Sequence, residues 1–166
     1  QLKSPGEAVW FADTVPALRR LVAAGYELFL ATQQSGVARG LATAAEVRAV
    51  NEHVVARLGE AGVPIRAVLC CTHGPEDGCD CRKPNPAPLR RAAEQYGLDL
   101  GRSFVVGDHP HDVELARRAG ARGIYVRTGH GQKHRSELPE AETVLVPGIR
   151  EAVEWIEACR SSEARE

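Results

Sequence analysis

Apolar residues along this chain fall in short near-continuous runs separated by stretches of helical spacing. The runs at 27–32, 65–70, 103–107, 123–127 and 143–146 have strand length, and each carries two or more of Phe, Val, Ile and Leu. Between them the apolar positions recur every three or four residues, as one buried helix face requires. Val15, Leu18, Leu21 and Val22 predict a first helix, capped by Asp13 or Thr14, with Pro16 in its first turn and Gly25 closing it. Residues 43–61 predict a long amphipathic helix opened by a Thr43/Glu46 capping box. Further helices are expected at 87–96 (stopped by Gly97), from near Asp112 to 119 (stopped by Gly120) and at 149–159, leaving 161–166 as a frayed tail.

Strands alternating with helices, each strand apolar on both faces, predict an α/β fold: a Rossmann-like parallel sheet with helices on both sides. Nothing resembling a repeat or a linker divides the chain, so residues 1–160 are expected to form one domain. In such sheets ligands bind beyond the carboxyl ends of the strands. The polar residues gather there: Thr32 to Ser35 after the first run, a Cys- and His-bearing loop after the second, Asp108 after the third and Lys133 after the fourth.

Composition narrows the function. A formal net charge of −1 over 166 residues argues against a general binder of nucleic acid or of membrane surfaces. No apolar run approaches the ~20 residues that span a bilayer, and the opening residues 1–7 are too polar for a signal peptide. Of five cysteines, three sit in one loop; Cys70 and Cys159 read as a small buried hydrophobe and a helix thiol. That usage suits the reducing cytoplasm.

The loop is Cys71-Thr72-His73-Gly74-Pro75-Glu76-Asp77-Gly78-Cys79-Asp80-Cys81-Arg82-Lys83. Cys71, His73, Cys79 and Cys81 form a C-x-H and a C-x-C pair, and a Cys₃His set fills all four positions of a closed structural Zn²⁺ site. A disulfide or idle thiols would leave His73 and the four-ligand count unexplained. Arg82 and Lys83 then lie against the metal-fixed turn and can clamp an anion. Thr32 and Ser35 add hydroxyls, Gly36 frees backbone N–H groups, and Arg39 adds a cation, though a solvated surface charge explains Arg39 equally well. Asp108, with Asp112 four residues on, can hold Mg²⁺ through oxygen; Asp112 can also simply cap the following helix. His109, His111, His130 and His134 read as surface residues.

These stretches carry a resemblance. Residues 32–40, the Cys71 to Lys83 loop, and Val106-Gly107-Asp108 through Asp112 resemble motifs two, three and four of the haloacid dehalogenase superfamily. More narrowly they resemble its zinc-loop branch, which holds the D-glycero-D-manno-heptose 1,7-bisphosphate and histidinol phosphatases. The resemblance implies a Mg²⁺-dependent phosphatase of small sugar phosphates without a large cap domain. In its terms Thr32 is the phosphate-binding hydroxyl and Lys83 the catalytic lysine; Gln34, Ser35, Arg39 and Arg82 contact substrate, with Lys133 placed beside them. Cys71, His73, Cys79 and Cys81 match zinc ligands, and Asp108 and Asp112 match the magnesium end. Gln33 stands where the family usually has Asn.

The same family opens with an apolar strand ending in Asp-x-Asp, whose first aspartate attacks phosphorus to form an aspartyl-phosphate. No Asp-x-Asp occurs in the 166 residues. That strand belongs in the middle of the sheet, and a gap there leaves backbone groups unpaired at about 1–3 kcal/mol per buried group. A preceding segment of roughly thirty residues is therefore expected to bring it, from ordinary strand, loop and helix lengths. Taken without it, the chain reads as a zinc-stabilised phosphate-binding module.

Overall fold

The computed structural model describes residues 11–138 and 143–163; the polar opening at 1–7 and the end of the tail at 164–166 lie outside the described residues. Two compact units emerge, Gln1–Arg82 and Lys83–Glu166, each with its own parallel sheet.

In the first unit α1 (Thr14–Ala23) leads to β1 (Leu28–Gln33), and α2 (Ala44–Glu60) crosses over to β2 (Ile65–Cys71). β1 and β2 run parallel, with Thr32 opposite Cys70 and Gln33 opposite Cys71. The capping box forms at α2: the Glu46 N–H donates to Thr43 Oγ1 at 3.1 Å and the Thr43 N–H to Glu46 Oε2 at 2.6 Å. Asp13 occupies the cap position of α1 but makes no side-chain cap bond. Ala17 and Leu21 of α1, Val47, Val50 and Leu58 of α2, and Val63 are buried. β1 departs from the buried strand the sequence predicts, since every residue in it is only half-buried. It pairs with β2 alone among the described residues, and a strand with one neighbour is covered on fewer sides.

The alternation at the end of β2 also corrects a reading. Cys70 is exposed and Cys71 buried, the reverse of a buried Cys70, because successive strand residues face opposite ways. Cys70 instead lines an open groove of about 640 Å³ with Val47, Asn51, Val55 and Val68.

The second unit holds α3 (Ala87–Tyr96), β3 (Phe104–Gly107), α4 (Pro110–Ala119), β4 (Arg122–Val126), β5 (Val144–Val146) and α5 (Ile149–Glu163). Its strands are all parallel in the order β3-β4-β5. The helix stops fall as predicted, on Gly97 and Gly120 in left-handed conformation, at φ +67° and +81°. β4 is the central strand: Ile124 and Tyr125 are fully buried, as are Ala116 of α4 and Ala152 and Val153 of α5. Each large apolar side chain so buried contributes about 1.5–3 kcal/mol, which makes β4 the seat of this unit's stability. Trp155 of α5 meets Phe104 of β3 edge-on, with ring centres 6.0 Å apart. α5 runs four residues past its predicted end: no Gly or Pro stops it, and Ser161 and Ser162 satisfy their hydroxyls on the Glu157 and Cys159 carbonyls.

The parallel α/β architecture matches the sequence expectation, but the sheet is present as a two-stranded and a three-stranded piece. No large domain is inserted among the described residues. Within each unit the strands point one way, so the loops after β1 and β2 adjoin, as do those after β3 and β4.

Candidate functional site

In the first unit the ends of β1 and β2 are tied directly, the Gln34 N–H donating to the Cys71 carbonyl at 2.7 Å. Beyond that bond Cys71, His73, Cys79 and Cys81 converge. Cys71 Sγ lies 3.8 Å from Cys79 Sγ, 3.8 Å from His73 Nδ1 and 3.1 Å from Cys81 Sγ, and His73 Nδ1 is 3.1 Å from Cys81 Sγ. A tetrahedral Zn²⁺ with bonds of ~2.3 Å sets sulfur–sulfur separations near 3.8 Å, so the four donors need only spread slightly at Cys81 to take the ion. The turn that brings them round is built locally. Asp77 Oδ2 accepts from the Gly74 N–H at 2.7 Å, and Gly78 takes φ +61°, which only glycine adopts without strain.

The electrostatics of these thiols fit a cation site. Burial pushes the Cys81 thiol up, aided by its hydrogen bonds and charge repulsion with Cys71 and Cys79, to about 12. Burial acts in the same direction on Cys79, but hydrogen bonds from Cys81 and Cys71 and from the Cys81 and Arg82 backbone outweigh it and hold that thiol below its ordinary value. Arg82 Nη1 donates to the His73 carbonyl at 3.2 Å, so this guanidinium braces the loop from its far end.

After β1, Gln33, Gln34, Ser35, Gly36 and Arg39 line a recess of about 140 Å³, with room for a phosphate group. Gln34 Nε2 donates to Thr32 Oγ1 at 3.0 Å. Accepting that bond on one of its two lone pairs, the Thr32 hydroxyl still has its proton to donate. Arg39 is exposed at the rim.

In the second unit Lys83 and Asp112 come together, Nζ to Oδ1 at 2.7 Å, with side chains 20% and 8% exposed. Asp112 also caps α4: its Oδ2 accepts from the His109 N–H at 3.2 Å. The two sequence readings of Asp112 are therefore compatible, but its first partner is a lysine 29 residues earlier. Asp108, at the tip of β3, accepts the His130 N–H through Oδ2 at 2.8 Å, which joins the loop after β3 to the loop after β4. Lys133 is exposed, and its ammonium makes no hydrogen bond or ion pair among the described residues.

Two glycines that sequence reasoning passed over make room for the carboxylates. A Cβ on Gly107 would overlap the carboxyl group of Asp112, and one on Gly129 would collide with Asp108 Oδ2. Both stand beside strand tips, and the Gly107-Asp108 pair was the signal that could have marked the first. Tyr125 was also missed; its hydroxyl, at the buried centre of the unit, donates to the Gly131 carbonyl at 2.9 Å and fixes the loop after β4.

Carboxylates and an ammonium at the strand tips of one parallel α/β unit, and in the other a Cys₃His loop that could hold a metal ion, are the groups that a hydrolase of the haloacid dehalogenase type brings to phosphate. The chain belongs to the HAD-like hydrolases: residues 80–152 match the HAD-hydrolase-like family, and relatives extend the match over most of its length. It is 37% identical over 145 residues to the D-glycero-beta-D-manno-heptose-1,7-bisphosphate 7-phosphatase of Pseudomonas aeruginosa, covering 87% of this chain and 82% of that one. The Bordetella bronchiseptica enzyme of the same name is 39% identical over 145 residues, covering 86% and 81%. The crystal structure of D,D-heptose 1,7-bisphosphate phosphatase from B. bronchiseptica, complexed with magnesium and phosphate, superposes with a TM-score of 0.86 at 36% identity, covering 95% of this chain and 89% of that one.

Proposed function

We propose that this protein is a Mg²⁺-dependent phosphatase that removes the 7-phosphate of a D-glycero-D-manno-heptose 1,7-bisphosphate and leaves the 1-phosphate. The observation that carries the reading is the Lys83–Asp112 pair at 2.7 Å beside the Asp108 strand tip, in a chain whose relatives bear that activity in their names. Lys83 is the group that meets the anionic substrate, and Asp112 holds its ammonium in place so that no reorganisation is needed when charge develops on phosphate oxygens. The Thr32 hydroxyl, oriented by Gln34, donates to a phosphate oxygen; Ser35, Arg39 and Arg82 hold the rest of the substrate, and Lys133 supplies a further positive charge.

Asp108 is the residue that would hold Mg²⁺, with Asp112 behind it, and oxygen ligands suit that ion. When bound, Mg²⁺ neutralises negative charge on the transferring phosphoryl group. Cys71, His73, Cys79 and Cys81 would hold Zn²⁺; with four protein ligands no position is left for water, so the ion's part is to set the loop that presents Arg82. The 166 residues contain no Asp-x-Asp pair; Thr32, Lys83 and Asp108 are groups that receive and stabilise phosphate. We place the chain in one catalytic domain. Its free thiols suit the reducing cytoplasm, and no helix among the described residues is long and apolar enough to cross a membrane.

The test is phosphate release by the intact protein across heptose 1,7-bisphosphates, hexose phosphates and histidinol phosphate. The highest kcat/KM is expected on a heptose bisphosphate. A preference for histidinol phosphate would move the substrate assignment, and phosphate binding without release from any of them would leave a binding module.

A further inference from the structure

At the start of α4, residues that are unconnected in sequence meet. His109 caps the helix, and the rings of His111 and His134 each stand 4.6 Å from its ring, tilted by 54° and 51°. His134 Nδ1 lies 2.7 Å from Glu137 Oε1. His109, His134 and Glu137 each bring one ligand atom within 4.8 Å of the other two. A surface ion pair would account for His134 and Glu137, and a helix cap for His109. Neither accounts for three imidazoles turned toward one another with a carboxylate at their edge.

The approach is held by the backbone. Tyr125 donates to the Gly131 carbonyl from the core, and the His130 N–H bonds Asp108, so the 128–137 loop is fastened before its side chains are counted. Imidazole nitrogens with one carboxylate oxygen suit Zn²⁺, Co²⁺ or Ni²⁺ rather than Mg²⁺. Ligands at ~2.0–2.2 Å from such an ion stand some 3.3–3.6 Å apart in a tetrahedron, and rotation of the exposed Glu137 side chain can open its 2.7 Å approach to His134 to that spacing.

We propose that His109, His134 and Glu137, with His111 at their margin, form a binding site for a divalent transition-metal ion that ties the 134–137 turn to the first turn of α4. It shares no residue with the thiol loop and is independent of the phosphatase reading. The ion takes the place of the proton between His134 and Glu137, which leaves to solvent. His109 gives up the hydrogen bond its Nδ1 accepts from the His111 N–H, a single contact of 3.1 Å.

Cobalt reports the site. The protein, its thiol loop loaded with zinc and in excess Mg²⁺, is titrated with Co²⁺ and followed by visible absorption. One further equivalent should bind with the weak d–d bands of nitrogen and oxygen ligands and without thiolate charge transfer. His134→Ala and Glu137→Gln should each weaken it at least about tenfold, the loss that even outer-shell partners cause. His130→Ala, on the same loop but outside the cluster, should leave it unchanged. Far-UV circular dichroism confirms that the variants fold. The proposal fails if no further equivalent binds at millimolar Co²⁺, if charge-transfer bands accompany it, or if Asp108→Asn abolishes binding while His134→Ala does not.

Discussion

Lys83→Met is the sharpest perturbation of the proposed site, because it keeps the length of the side chain and removes only its charge and donors. The ammonium sits 2.7 Å from Asp112 Oδ1, the two side chains being 20% and 8% exposed. Taking away one partner of a buried pair costs about 3–5 kcal/mol, since the other charge stays buried without compensation. Asp112 keeps the His109 N–H at 3.2 Å, which places the expected loss at the low end, about 3 kcal/mol. Urea unfolding in Mg²⁺-free buffer measures it; Lys83→Met/Asp112→Asn, which removes both charges, should recover most of it. Turnover by the single variant should fall about 10²–10³-fold, the scale for deleting one preorganised donor to developing charge. Zinc content is checked alongside, because Lys83 lies two residues after Cys81. A Lys83→Met protein with unchanged kcat and a stability within about 0.5 kcal/mol of the parent, the range of neutral surface changes, would refute both the pairing and the catalytic role.

Cys79→Ser should lower zinc to well under one equivalent by metal analysis and loosen the 71–83 loop to proteolysis; a full equivalent would remove Cys79 from the ligand set. Gly107→Ala should displace the Asp112 carboxyl group that its Cβ would overlap, costing about 1–3 kcal/mol by thermal unfolding and lowering kcat; wild-type values for both would show the contact to be slack. Glu114 accepts from Arg117 at 2.8 and 2.7 Å and from Arg118 at 2.6 Å, and these hydrogen bonds hold its carboxyl at about 2 against an ordinary 4.5. A depressed pKa stabilises the fold above the unfolded value and ceases to as pH falls through the folded one. The stability gap between parent and Glu114→Gln should therefore be full above about pH 4.5 and close toward pH 2. With both arginines largely exposed, that gap should stay below about 1 kcal/mol; a gap that widens on acidification would contradict the assignment.

Legibility in the sequence followed the range of the interaction. The Thr43/Glu46 box, the Gly97 and Gly120 stops and the alternation of strand with helix are decided within a few residues, and all form as read. The convergence of Cys71, His73, Cys79 and Cys81 was legible because a single turn carries all four. Which face of β2 is buried was not, since a run apolar on both faces leaves the phase of Cys70 and Cys71 open until its neighbours are placed. Lys83 meeting Asp112 across 29 residues had no local signature at all.

The loop after β4 shows why local reading stops where the chemistry begins. Each of its residues has an ordinary explanation alone: glycines for a turn, histidines for a surface, a lysine in solvent. Their joint placement depends on Tyr125, which sequence marks only as one more apolar position of a central strand. Its hydroxyl reaches back to Gly131 while Gly129 leaves space for Asp108 to take the His130 N–H. A buried phenol on the middle strand thus sets where this loop lies against Asp108. Deleting that one hydroxyl should disturb the strand-tip geometry more than its ~1 kcal/mol of hydrogen bonding would indicate. Tyr125→Phe is therefore expected to keep most of the protein's thermal stability while weakening its response to Mg²⁺. A variant whose Mg²⁺ dependence matched the parent's would show that the loop is held by its backbone turns alone.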